Sequence, residues 1–151
     1  MERNIIIKTV DVNSHIYSNA INFFLDSLLT DVETKTINAI DVKFNSTLKD
    51  DGECEYKSTK LIIKIKSGMD FISTIKTIAH ECVHAKQYIT KELRYNKFGE
   101  WVWKNRSFGR NPYKSLTEDE IYTKLPWERE AACKEVELFM EFIANYLDSN
   151  S

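Results

Sequence analysis

His80 and His84 stand four residues apart in a stretch whose apolar positions, Phe71, Ile72, Ile75, Ile78, Ala79, Cys82 and Val83, recur at helical spacing. A helix there brings both imidazoles to one face, because side chains at i and i+4 project from the same side. They can then grip one ion together. Asp70 follows the break Ser67-Gly68-Met69 and can cap this helix, which is predicted to run from Phe71 to about Thr90. Glu81 completes the pattern H-E-x-x-H. Zinc accepts neutral imidazole at roughly 2.0–2.1 Å, and a catalytic site takes three protein ligands and leaves the fourth position to water. Glu81 falls beside that water, whose proton it can accept as general base while the ion lowers the water pKa from 15.7 to about 7. A core helix carrying two histidines is the plainer alternative. Two of the chain's three histidines fall in the motif and apolar residues precede it, which favours the metal. His15, near the start of an earlier helix, reads as a solvated or capping residue with no role in the site.

A chain of 151 residues fits one domain, residues 1–151, and can bury a core without disulfides. A net charge of −2, with lysines scattered among carboxylates, supplies no broad basic field for nucleic acid. The N-terminal apolar run is too short for a signal peptide and no segment reaches membrane-spanning length, so the expected location is cytoplasmic. Three widely spaced cysteines, Cys54, Cys82 and Cys133, argue for a reducing compartment and against a disulfide framework.

Along the chain, Asn4 to Val12 reads as a first strand or entry segment. Ile16, Ala20, Phe23, Phe24, Ser27 and Leu28 define an amphipathic helix over about 14 to 30, with Asn13 or Ser14 as N-cap. Residues 36–45 and 60–66 alternate apolar with polar, and Asp50-Asp51-Gly52 between them is a turn signal, so they are predicted to be antiparallel strands. Residues 93–123 are aromatic and irregular, with a short strand at Glu100 to Lys104. Pro126 opens a last helix whose apolar face is predicted from Ala131, Val136, Phe139, Met140, Ile143 and Leu147.

The run His80-Glu81-Cys82-Val83-His84, preceded by the uncharged Thr77-Ile78, resembles the signature of the zincin metallopeptidases. It departs from the stricter pattern at Lys86, where a hydrophobic residue is commoner, and this implies a more exposed helix exit. Leu125-Pro126-Trp127-Glu128-Arg129-Glu130-Ala131-Ala132 looks like the third-ligand helix of gluzincins and of SprT-like or ImmA-like peptidases. That resemblance implies Glu128 as the third ligand and Glu130 as a residue supporting the ligands. An ordinary first-turn glutamate favoured by the helix dipole is the competing reading for Glu128. No histidine follows His84, which removes a third histidine ligand. Peptide deformylases also resemble this site through an upstream cysteine ligand, which keeps Cys54 as an alternative, although their glycine-rich motif is missing. Cys82 lies about 200° around the helix from His80 and points away from the ion.

The implied fold is α+β and zincin-like: an N-terminal helix and a small, mostly antiparallel sheet packed on the motif helix, and a C-terminal helix carrying Glu128. The implied activity is zinc-dependent cleavage of peptide bonds, with the substrate adding to a sheet edge. Tyr113 or Tyr122 is available to donate to the oxyanion, and Trp101, Trp103 and Phe98 either line a groove or cover the core. A degenerate scaffold that binds a partner without turnover is the rival from another class. Glu81 speaks against it, since a purely structural zinc site needs no carboxylate beside the ion.

Overall fold

The period-two alternation of Ala39–Asn45 (β2) and Lys60–Lys66 (β4) makes one face of a sheet apolar, with Ile40, Val42, Leu61, Ile63 and Ile65 all fully buried. Lys43 and Lys64 alternate to the other face, where Lys60 pairs with the buried Asp41 at 2.8 Å. The computed structural model describes residues 5–7 and 13–149. Ile5–Ile7 (β1) and Gly52–Lys57 (β3) complete a four-stranded sheet in the order β1-β2-β4-β3. Of the predicted first strand, residue 4 and residues 8–12 lie outside the described residues.

This sheet is mixed, which corrects the expected pairing. β2 runs parallel to both β1 and β4, and only β3 is antiparallel to its neighbour β4. The chain reverses twice between β2 and β4: once in residues 46–51, which include Asp50-Asp51 and lead into Gly52 at the start of β3, and again at Ser58 and Thr59, whose φ values of 52° and 65° are those of a tight hairpin turn. The second reversal makes β2 and β4, which do lie side by side, parallel, and β3 pairs on the far side of β4. Among the described residues β1 and β3 are the two edges of this sheet.

Ser14–Leu28 (α1) and Phe71–Ile89 (α3) cover the apolar face, with the short helix Asp31–Thr34 (α2) following α1. The buried face of α1 is Tyr17, Ala20, Ile21, Phe24 and Leu25; Ile16, Phe23 and Leu28, expected at its centre, are its partly buried margins. Asn13 holds the N-cap position without a side-chain capping bond. In α3 the predicted cap forms: the Asp70 carboxylate accepts from the Ser73 N–H at 2.8 Å.

Residues 93–123 are more ordered than their composition suggests. They hold an antiparallel sheet of Leu93–Tyr95 (β5), Trp101–Trp103 (β6) and Arg106–Ser107 (β7), then the helix Glu118–Lys124 (α4). The long helix Pro126–Ser149 (α5) follows. Its buried residues are Trp127, Ala131, Leu138, Phe139 and Phe142, so Val136, Met140 and Leu147, predicted for the core, are exposed instead. Trp127 sets that phase. It is wholly buried among Trp101, Trp103, Phe108 and Tyr113, with the Trp101 ring stacked on it at 5.6 Å. Among the described residues no helix is long and apolar enough to cross a membrane.

Candidate metal centre

α3 and α5 meet antiparallel, as three contacts in reverse order record: His84 with Glu128, His80 with Glu135, and Lys76 over the Phe139 ring. His80, His84 and Gln87 share the α3 face turned to α5, as their spacing requires. The ligand atoms of His80, His84 and Glu128 all lie within 4.8 Å of one another. His84 Nε2 is 3.2 Å from His80 Nε2 and 2.8 Å from Glu128 Oε1, while His80 Nε2 is 3.9 Å from Glu128 Oε2. Two atoms bound tetrahedrally to one zinc at roughly 2.0–2.1 Å stand about 3.3 Å apart, so this spacing suits a single ion.

The outward nitrogens are also accounted for. His80 Nδ1 donates to Glu135 Oε1 at 3.1 Å, and His84 Nδ1 donates to Gln87 Oε1 at 2.8 Å. Neither a carboxylate nor an amide oxygen can donate, so both rings carry their proton on Nδ1 when neutral and turn a free Nε2 lone pair to the cluster. Gln87 is itself oriented, because its amide donates to the Trp127 carbonyl at 3.0 Å and to Glu130 at 3.1 Å. Glu130 thus touches the cluster only through Gln87. Lys86, expected at an exposed helix exit, is largely covered and ties Glu130 to Glu92 with ion pairs of 3.4 and 2.6 Å. Cys82 is buried in the core, as helix geometry requires.

Trp127 fixes the start of α5 and so aims its neighbour Glu128. Its indole N–H donates to the Tyr113 hydroxyl at 2.7 Å, and that hydroxyl donates to Glu128 Oε1 at 3.3 Å. Tyr113 is therefore committed to the carboxylate and is not the free hydroxyl expected of an oxyanion donor. Tyr122, on α4, lines the cleft beside the cluster. Trp103 belongs to the aromatic core and Trp101 bridges core and cleft, while Phe98 is exposed and outside it.

Glu81 sits one residue around the helix from His80, facing β3 rather than α5. It is 5% exposed, and no described residue hydrogen-bonds to its carboxylate. Burial pushes its pKa up, and the nearby His84 and His80 offset only part of that rise. Gly52 makes the room for it. A Cβ there would come within 2.9 Å of Glu81 Oε2 and 2.8 Å of Thr77 Cγ2. We expect Gly52→Ala to cost about 1–3 kcal/mol of stability through overpacking, read as a lowered melting temperature; unchanged stability would contradict the close approach. Cys54, the alternative ligand, lies outside the cluster, and its thiol is pushed well up by burial and the charge of Glu81, a poor setting for a thiolate.

The carboxylates around His84 favour its protonated form. Burial disfavours a charged His84, yet the hydrogen bond it donates to Glu128 and the charge of Glu81 outweigh it and raise the pKa from 6.5 to about 9. Glu128 is held below the usual carboxylate range because His84, His80 and Tyr113 outweigh its own burial. A folded value above the unfolded one means that the imidazolium stabilises the metal-free fold fully below pH 6.5 and stops doing so as pH rises through about 9. A metal ion bound there would compete for the same lone pair, so its affinity should rise over that window. Melting of chelator-treated protein should show this contribution fading across the window while zinc titrations tighten; zinc affinity independent of pH there would contradict the competition.

Glu135, Gln87 and Gly52 were not singled out as site residues from the sequence. A signal existed for two of them: Gln87 lies three residues after His84, and Glu135 seven residues after Glu128, each on the same helix face as the ligand it follows. Compared with protein-family models, curated proteins and solved structures, the chain matches none, so a function must be argued from the chemistry of this site alone.

Proposed function

We propose that this chain is a zinc-dependent hydrolase that cleaves peptide bonds, with His80, His84 and Glu128 as ligands and Glu81 as general base. One observation carries the reading. Three convergent ligand atoms and a buried, unpartnered carboxylate open on the same cleft of about 970 Å³. Zinc, when bound, would polarise the scissile carbonyl and make the attacking water acidic near neutrality. Glu81 takes the proton from that water and returns it to the leaving amine, and its raised pKa brings it closer to the working pH of a general base. Tyr122, whose hydroxyl the ligand network does not use, is the side-chain donor available to the developing oxyanion.

The cleft borders β3, an edge strand of the sheet, and this favours a peptide over a small molecule. An extended chain can pair with that edge through main-chain hydrogen bonds while its side chains enter the cleft. A non-catalytic binding module would use the same edge but has no need of Glu81. The discriminating experiment is hydrolysis of a mixed peptide library by zinc-loaded protein. Cleavage that disappears with chelator and returns with zinc supports the proposal; zinc uptake without cleavage of any member would favour the binding module.

A further inference from the structure

The cleft is lined by two kinds of side chain. Besides Glu81 and Glu128 it is lined by Asp50, Asp51, Glu53, Glu55, Glu118 and Glu135, against Lys49 as the one ammonium among the described lining residues. Glu55 has Lys64 at 3.8 Å and Glu135 has His80, but no described cation pairs with Asp50, Asp51, Glu53 or Glu118. A zinc ion would be neutralised by Glu81 and Glu128, leaving this excess uncompensated. The other kind is aromatic. Tyr95 and Tyr122 are 55% and 38% exposed, and Trp101 meets Tyr95 edge-on at 4.7 Å. Rings and carboxylates are interleaved: Glu118 stands one turn before Tyr122 on the same face of α4, and the charges of Glu128, Glu118, Glu135 and Asp51, after burial, all act on the Tyr122 hydroxyl.

Unpaired carboxylates concentrate in the field of a low-dielectric cleft, where they attract cations and repel acidic chains. Exposed aromatic faces add to that attraction for one kind of cation, the planar guanidinium, which stacks on a ring while donating to a carboxylate. The buried Glu81 carboxylate aims into the same space without a partner. This shows that the cleft is built to receive a ligand and is not simply a solvated acidic surface.

We propose that the substrate is a basic peptide segment, seated along β3 with arginine or lysine side chains flanking the bond to be cut, held by the carboxylates Asp50, Asp51, Glu53 and Glu118 and the rings Tyr95, Trp101 and Tyr122. This rests on the peptidase reading, since it names the substrate of the same site. Acidic segments are excluded by charge.

The test uses zinc-loaded Glu81→Gln protein, which binds without turnover, and three labelled peptides of equal length in which alternate residues are arginine, glutamine or glutamate. Fluorescence anisotropy at physiological ionic strength should show the arginine peptide binding at least about tenfold more tightly than the glutamine peptide, with the difference shrinking as salt is added. The glutamate peptide should not bind. The triple change Asp50→Asn, Asp51→Asn, Glu53→Gln should remove about tenfold of that preference, and Tyr95→Ala a further few-fold, each read as the ratio of arginine-peptide to glutamine-peptide affinity. Glu118→Gln, on a separate element, provides a second reading if the triple variant fails to fold. Equal affinity for all three peptides, or an arginine preference that survives these changes, overturns the proposal. So does displacement of the arginine peptide by a second equivalent of zinc, which would make these carboxylates a metal site. Zinc content and library cleavage by the wild type are measured alongside: zinc-dependent cleavage of neutral peptides alone sinks this inference and spares the peptidase, whereas arginine-selective binding with no cleavage by wild type does the reverse.

Discussion

Glu81→Gln is expected to keep its zinc and to lose peptide hydrolysis by about 10²–10⁴-fold, the range over which a positioned general base accelerates a reaction. The amide matches the carboxylate in size, so its close approach to Gly52 is preserved. What changes is chemical: an amide oxygen is a far weaker base and cannot take the water's proton. The variant also removes a buried negative charge that raises the pKa of His84, so its metal-free form should bind the competing proton less tightly. Zinc content and turnover measured on one preparation separate the possible roles. Loss of metal would make Glu81 a ligand, and unchanged turnover would remove it from the chemistry altogether.

Glu128→Gln is expected to weaken zinc binding far more than the 10–100-fold that loss of a supporting partner typically costs. His80 and His84 alone would leave two positions open, and Glu128 is the one anionic side chain among the described residues that joins them in a single cluster. Its place is secured by Trp127 in the aromatic core and by the Tyr113 hydroxyl, so the substitution removes charge from a site that stays in register. Glu130→Gln disturbs only Gln87 and Lys86, and should stay within the smaller range. Cys54→Ser should leave affinity unchanged. If Cys54→Ser alone strips the metal, the deformylase-like alternative replaces the assignment made here.

The parts of the site that depend on one helix could be read from the sequence. His80, Glu81 and His84 needed only the helical period, and Pro126-Trp127 marked the helix that delivers Glu128. Contacts between distant segments could not be read in this way. Gly52 looked like a turn residue because its value lies in the approach of β3 to Glu81, twenty-nine positions on in sequence. The parallel pairing of β2 with β4 was hidden for a similar reason: alternation reports which face is buried, not which strand lies beside which. Residues 93–123 appeared irregular because their strands are two or three residues long, too short for a period to register. Their aromatic residues are what seat Trp127 and hence Glu128. On α5, Val136, Met140 and Leu147 follow a helical repeat as well as the true core residues do, and only the packing of Trp127, Leu138 and Phe142 decides between the two faces.

The proposed peptidase must hold one metal ion between α3 and α5. Elemental analysis of protein purified without chelator tests it most directly, with His80→Ala and His84→Ala prepared in parallel. About one zinc per chain is expected in the wild type and essentially none in either variant, because each loses a ligand that its partner cannot replace. Less than about a tenth of an ion per wild-type chain, after zinc has been offered at neutral pH, would contradict it.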